Sequence, residues 1–370
     1  MTLPASGAIS LSQVNTELGF SSTATITMND SAVRTLFGQA SGTVDMNTGH
    51  GKSYRVNLSV TYSTNGTTAT TLSLSGIGGY VAGKSTITIN QNAGVYMYST
   101  STASPALNIT GGSSGDIVSL NLSPGNGGIM GQGGAGGALR APIAAGAGGT
   151  ALQIAYPITV TVPGFCTLGG GGGGGGGGGT WRIGPAITII SGGGGGGGQG
   201  GGAGGPSTAS SPGVPNYNAG TSGGAGGGTA PANASGVIGA FIGPVGGGGG
   251  GTSAGGAGGG GGAAGASGAG GGRNFQGNPS PGGTNTYFTS VGGAGGSFSI
   301  AATAGITQAA GGGGGGWGAA GGAGRIAAAP GISISAAQSG GAAGKAINTQ
   351  GNSVTLAGDG RGTRVKGIVG

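Results

Sequence analysis

Acidic residues are what this chain most lacks. Its 370 residues hold 5 Asp and Glu against 12 Lys and Arg, and no acid falls between Asp116 and Asp359. General acid–base chemistry needs positioned carboxylates or histidines. Here Glu17 and Asp30 sit in a short N-terminal segment, Asp45 and Asp116 beside strands, and Asp359 near the end. The single histidine, His50, stands between glycines as a solvated linker side chain would. The single cysteine, Cys166, excludes an internal disulfide and a cysteine-based metal site, and its apolar surroundings suit a packed thiol rather than a nucleophile. These shortages argue against an enzyme and imply no cofactor and no metal. The opening Met1-Thr-Leu-Pro-Ala-Ser-Gly7 has neither a basic n-region nor an apolar h-region, and no stretch reaches membrane-spanning length without interruption. The expectation is synthesis in a cytoplasm without a signal peptide. The net charge is +7 and the isoelectric point about 9.9, yet Arg140, Arg182, Arg273 and Arg325 are scattered singly. A nucleic-acid groove clusters its cations among aromatics, so no nucleic acid is implied. Attraction to an anionic cell surface serves the charge at least as well.

What the chain has instead is glycine, 107 residues of it, with unbroken runs at Gly169–Gly179, Gly192–Gly198 and Gly311–Gly316. A run with no side chains can be ordered only if its backbone groups bond to neighbouring copies of the same kind. An extended sheet would serve, as would the left-handed three-residue helix of the polyproline-II type, which has no internal hydrogen bonds and turns every N–H and C=O outward. The helix is favoured because interior strands of pure glycine offer a sheet no side-chain pairs; sheet stays open. At roughly 3.1 Å per residue the longest run would span about 34 Å. Collagen is excluded by the lack of a Gly-X-Y period and by only 15 Pro. Disorder is opposed by a mean hydropathy of +0.14 and by apolar segments spaced between the runs.

Residues 1–50 differ from the rest. Leu11, Val14 and Leu18 recur at helical spacing, with Ser10 or Ser12 as N-cap and Gly19 as stop; Val33, Leu36 and Phe37 repeat the device between Asn29 or Asp30 and Gly38. Two helices this short cannot make a core alone, so they read as a docking segment that folds against something else. From Tyr54 to Leu122 the pattern turns to period two, with turn signals such as Asn65-Gly66, and predicts a small antiparallel sandwich or barrel. Its expected core is Val56, Leu58, Val60, Leu72, Leu74, Ile87, Ile89, Leu107, Ile109 and Leu120. From Gly125 to Gly344 glycine runs alternate with short apolar excursions, and from Lys345 the chain regains the look of a closing strand and basic tail.

One motif matches the phosphate-cradling P-loop in spacing: Gly78-Gly-Tyr-Val-Ala-Gly83-Lys84-Ser85. That chemistry needs a helix after the loop, whereas Thr86-Ile-Thr-Ile-Asn90 alternates as a strand. The plainer reading is a glycine-rich turn with a solvated Lys84.

Two stretches resemble known families. Leu11-Ser-Gln-Val-Asn-Thr-Glu-Leu-Gly19 and Met28-Asn-Asp-Ser-Ala-Val-Arg-Thr-Leu-Phe-Gly38 resemble the opening of tailed-bacteriophage virion and tail-fibre proteins. The glycine region, with Gly341-Ala-Ala-Gly-Lys-Ala-Ile347 as an added echo, resembles the tip adhesins of T-even-like phages, in which polyglycine-II helices pack into a sandwich and end loops bind outer-membrane proteins. The resemblance implies a mainly β fold with a non-regular glycine-rich part: a helical docking segment (1–50), an antiparallel β-sandwich (51–124), packed polyglycine-II helices (125–344) and a closing strand with basic tail (345–370). It implies a virion protein of the tail or tail fibre that docks on other virion proteins through Leu11, Val14, Leu18, Val33, Leu36 and Phe37. The same resemblance implies contact with a bacterial outer-surface protein or glycan through loop residues Tyr217, Arg273, Phe275, Tyr287, Phe288 and Trp317. The chain departs from the short adhesins in bringing its own N-terminal and β segments, which leaves room for a homotrimer and for a non-adhesive whisker, decoration or fibre-attachment role.

Overall fold

The chain was analysed as a computed structural model, which describes residues 2–66, 68–124, 127–137, 144–164, 166–174, 338–360 and 364–370, together with Gly318, residues 320–323 and the backbone of five short strands between 180 and 334. It falls into two compact units, one of Met1–Val60, Ser73–Ile89 and Gly111–Ser119, the other of Thr61–Leu72, Asn90–Thr110 and Leu120–Gly370.

In the first unit, Ser10 caps α1 (Leu11–Glu17). Its Oγ accepts from the Gln13 amide at 3.2 Å, and Gln13 Oε1 accepts from the Ser10 amide at 2.8 Å, which satisfies amides that have no helical partner. α2 (Ser31–Phe37) ends on Gly38 at φ 69°, the left-handed conformation that stops a helix. Asp30, which precedes it, turns its carboxylate back to the Thr27 amide and hydroxyl at 2.9 and 2.7 Å. Val14, Leu18, Val33, Leu36 and Phe37 are buried together with Leu3, and Ile9, Ile26, Met28, Ala32, Val44, Met46 and Tyr54 pack around them. The two helices do not make this core alone. The extended stretches that flank and join them supply the missing apolar surface.

The strands are β1 (Val56–Tyr62), β2 (Thr70–Ser73), β3 (Ser85–Gln91), β4 (Tyr96–Tyr98), β5 (Leu107–Thr110), β6 (Ile117–Leu122), β7 (Gly128–Met130), β8 (Leu152–Ile154), β9 (Ile158–Thr161) and β10 (Thr167–Gly169). After them come β11 (Thr180–Ile183), β12 (Ile187–Ile190), β13 (Gln308–Ala310), β14 (Arg325–Ala327), β15 (Ser333–Ile334), β16 (Lys345–Asn348), β17 (Val354–Ala357), β18 (Val365–Lys366) and β19 (Ile368–Val369). Three ladders hold most of them, in the orders β1-β3-β6-β9-β17, β4-β7-β10-β18 and β2-β5-β8-β16-β19. The pairs β4·β7, β7·β10, β10·β18, β5·β8, β8·β16, β16·β19 and β9·β17 are all parallel. From β4 to β10, and again from β16 to β19, successive strands enter the second, third and first ladders in rotation, the winding of a parallel β-solenoid. Rows of apolar side chains stack across the coils. Met97, Ile129 and Leu168 form one row; Leu107, Leu152 and Ile347 form another, and all six are buried.

The antiparallel sandwich expected for 51–124 is thus replaced by parallel ladders that run on to the end of the chain. Alternation of apolar and polar residues has the same period beside a parallel or an antiparallel neighbour. Asn65-Gly66, expected as a hairpin turn, bonds sideways instead: the Tyr96 amide donates to Asn65 Oδ1 at 2.8 Å, and Gly66 exchanges bonds of 2.9 and 3.1 Å with Tyr96 and Tyr98.

Where β7 and β10 end, the hydrogen-bond period changes. Gly128, Ile129 and Met130 face Thr167, Leu168 and Gly169 one to one, but beyond them Gly131 donates to Gly169 at 2.9 Å and Gly134 to Gly172 at 2.8 Å, a step of three. The same step recurs between antiparallel segments: Gly171 and Gly174 donate to Gly149 and Gly146, and Gly344 and Gly341 donate to Gly171 and Gly174, over 2.7–2.9 Å. Gly169–Gly174 are all buried. Side chains appear only on the flanking segments, among them Ala135 three residues after half-buried Gln132, Ala147 after Ala144 and Ala342 after Ser339, the last five all exposed, with half-buried Ala145 and Ala343 beside them. The close spacing demands this. A Cβ on Gly171 would meet the Gln132 carbonyl closer than 3.0 Å, and one on Gly174 would meet that of Ala135.

Candidate functional site

The P-loop-like stretch is a structural turn. Lys84 Nζ lies 2.5 Å from Glu17 Oε1, with the Lys84 side chain 13% exposed and that of Glu17 2%. The same carboxylate oxygen accepts from the Ser53 hydroxyl at 3.0 Å and the Tyr54 amide at 2.9 Å. Ser85, the position that would bind a metal in a true P-loop, spends its hydroxyl on the Val81 backbone, and its amide donates to Asp116 Oδ1 at 3.2 Å. Asp116 Oδ2 also accepts from Tyr80 and the Ser113 amide at 2.7 and 2.8 Å. A strand, β3, follows the turn. Lys84 is therefore not the solvated side chain expected, and no helix N-terminus is present to receive a phosphate. His50 likewise places Nδ1 3.1 Å from the Pro4 carbonyl. Among the described residues no group of His, Cys, Asp and Glu could hold a metal, and no helix is long and apolar enough to cross a membrane.

The remaining candidate is the glycine scaffold and what surrounds its base. Residues 170–174 leave β10, and 338–344 lead back into β16. Beneath them, β18 pairs with β10 with Gly169 opposite Lys366. Arg364, the residue before β18, and Lys366 within it are 5% and 2% exposed. Burial, with Arg364 adding repulsion, pushes the Lys366 ammonium down to about 8. Cys166 is also buried; its Sγ donates to the Gly127 carbonyl at 3.2 Å, and burial pushes the thiol up to about 12, which leaves no thiolate for nucleophilic work. The alternation Thr363-Arg-Val-Lys366 was the available signal for this buried pair, although it reads at first as a basic tail.

Between β10 and β16 the described strands form two antiparallel sheets, β12-β11-β15 and β13-β14. Tyr217, Arg273, Phe275, Tyr287, Phe288 and Trp317, the expected receptor contacts, lie outside the described residues. Of the expected docking residues, Leu11 is 48% exposed while Val14, Leu18, Val33, Leu36 and Phe37 belong to the core of the first unit. Phe20, not among them, is also 48% exposed. The Glu17–Lys84 pair had no local signal, since its partners lie 67 residues apart.

A family model described as phage tail fibre adhesin Gp38 matches residues 55–244. The chain belongs to this family. The match begins just before β1 and runs through the solenoid coils into the inserted stretch. Members of the Gp38 adhesin family are tail-fibre proteins by description, so this chain is a phage tail-fibre protein, mainly β with two short α-helices among the described residues. No curated protein and no solved structure matches it.

Proposed function

We propose that this chain attaches a phage to its host, with the glycine-rich insertion as the part that carries the contact loops. The observation that carries this reading is the buried segment Gly169–Gly174, bonded at three-residue steps to segments on several sides. That period matches the left-handed three-residue helix, and the exclusion of every Cβ from the interior matches its close packing. We read the glycine part as a bundle of polyglycine-II helices anchored on the solenoid through β7, β8, β10 and β16. A backbone-bonded bundle is rigid, and loops held on rigid scaffolds are where recognition concentrates. Tyr217, Phe275, Tyr287, Phe288 and Trp317, with Arg273 beside Phe275, are the proposed contacts with an outer-surface protein or glycan, since rigid aromatics lose little entropy on binding.

The first unit is the proposed docking element toward other tail proteins. Leu11 is assigned to contact, while Val14, Leu18, Val33, Leu36 and Phe37 hold the shape that presents it. No catalytic step is assigned, and the virion tail is the proposed location. The test is adsorption: the purified full chain is titrated onto susceptible and resistant bacteria, and phage attachment is read. Saturable binding to susceptible cells that blocks attachment supports the reading. A folded chain that binds neither strain would reduce it to a non-adhesive part of the fibre.

A further inference from the structure

Glycine-rich segments do not fix their own register. A segment bonded at three-residue steps can slide by three and recover its backbone bonds, and with nothing larger than an alanine side chain it offers little to oppose the slip. The returning segments 144–149 and 338–344 bond to one another and to the interior run, with Gly148 donating to Ala342 at 2.9 Å and Gly344 to Gly171 at 2.8 Å. Their register is therefore set where they join the solenoid, at β8 and β16. The apolar row Leu107–Leu152–Ile347 chooses poorly among registers. Ile109 and Ile154 stand two residues further along β5 and β8, and a slip of two would again bury aliphatic side chains.

On the opposite face of the same strands a second row does choose. Asn108, Gln153 and Asn348 stand abreast on β5, β8 and β16, all half-buried. Asn348 Nδ2 donates to Gln153 Oε1 at 3.2 Å, and Gln153 Nε2 donates to Asn108 Oδ1 at 3.4 Å. Lys345 heads the row: its Nζ donates to Asn348 Oδ1 at 3.2 Å and to the Gly370 carbonyl, just past β19, at 2.8 Å. An ammonium can only donate. The Asn348 atom beside it is thus the carbonyl oxygen, and each amide further along is turned the same way. A slip of two between β5 and β8 would set Thr110 against Gln153 in place of Asn108 and break the row.

We propose that Lys345 and the amide row Asn108–Gln153–Asn348 are the register lock of the glycine scaffold. They are positioning residues, which fix where segments 144–149 and 338–344 sit on the solenoid. Lys345 follows Gly344 at the root of one segment, and Gln153 stands on β8 at the root of the other. A polar row satisfied in one register alone selects among packings of similar apolar content, and the charge at its head strengthens the bonds that follow.

The test is hydrogen exchange on the full chain, read by mass spectrometry on peptides that carry Gly148, Gly341 and Gly344. In Lys345→Met and in Gln153→Ala these amides should exchange about tenfold faster, given the worth of the bonds removed, and a slipped register should appear as a second isotopic envelope. Lys345→Arg keeps a donor at the head of the row and should stay near wild type. The amides of Gly128 and Leu168, bonded in the ladder β4-β7-β10-β18, should not change, which separates a lost register from general loosening. Should Lys345→Met fail to fold, Gln153→Ala leaves the ammonium in place and answers alone. Unchanged exchange at the three glycines, or equal acceleration at Gly128 and Leu168, overturns the proposal. The lock stands apart from the adhesin reading: a wild type that does not block phage attachment sinks that reading and leaves the exchange result to judge the lock.

Discussion

A single methyl group placed at Gly171 should loosen the scaffold. The backbone of Gly171 is not in the left-handed region, so alanine meets no local obstacle; what it meets is the carbonyl of Gln132, with the Gly149 amide close behind. To make room, one segment must move by roughly 1 Å, and the move strains the bonds Gly171 to Gly149 and Gly344 to Gly171, both 2.8 Å. Overpacking costs about 1–3 kcal/mol and weakening two net hydrogen bonds about 1–2 kcal/mol more. The stiffer unfolded chain of alanine returns about 0.4–1 kcal/mol. The net expectation for Gly171→Ala is a loss of about 2–4 kcal/mol. Calorimetric melting of the full chain measures it beside two controls: Ala342→Ser, at an exposed position of the same scaffold, and Gly78→Ala, where an added Cβ meets nothing within 4 Å. Both controls should stay within about 0.5 kcal/mol of wild type. If Gly171→Ala melts with the controls, the segments are not packed as closely as described, and the steric account of the glycine run is wrong.

Other changes separate shape from contact and charge from burial. Phe37→Ala empties the core of the first unit and should cost about 3–5 kcal/mol, while Leu11→Asn should leave melting unchanged yet lower the amount of the protein in purified particles. Lys84→Met strips the cation from a carboxylate that is 2% exposed; a loss of about 3 kcal/mol is expected, partly restored in the Glu17→Gln/Lys84→Met double variant, with no change in nucleotide binding for either. Lys366 titrates near 8 when folded and near 10.5 when unfolded. Between those values the unfolded chain holds a proton that the folded chain has lost, so stability should rise with pH through that window, by about 1–2 kcal/mol after allowance for partial screening. Lys366→Met should be more stable than wild type near pH 7 and should lack that rise, which parallel melts at pH 7, 8, 9 and 10 would show.

How much of this could be read from residues depends on how local the cause is. Ser10 with Gln13 and Gly38 mark the helix ends because capping acts over three or four residues. Ile87, Ile89, Leu107, Ile109 and Leu120 are buried as expected, because alternation sorts inward from outward residues whatever lies alongside. Val56, Leu58, Val60 and Leu72 are only half-buried. They sit on β1 and β2, each at the edge of its ladder, and edge position is a property of topology. Strand direction was hidden for the same reason: the partners of β5 and β8 are β8 and β16, far along the chain. The fate of Lys84 was hidden too, since nothing near it in sequence announces Glu17.

The glycine pattern is the place where composition and position are tied most directly. A segment bonded to neighbours on every side has no direction left for a side chain, so the interior stretch Gly169–Gly174 is pure glycine. A segment at the rim has directions free for side chains, and there Gln132 with Ala135, Ala144 and Ala145 with Ala147, and Ser339 with Ala342 and Ala343 appear. Glycine density thus measures depth in the scaffold, in the way that apolar density measures depth in an ordinary core. The two kinds of core also divide the labour. Below, stacked rows such as Met97, Ile129 and Leu168 hold the solenoid through side chains, so their sequence is constrained. Above, the glycine segments hold to one another through amide and carbonyl groups rather than through side chains.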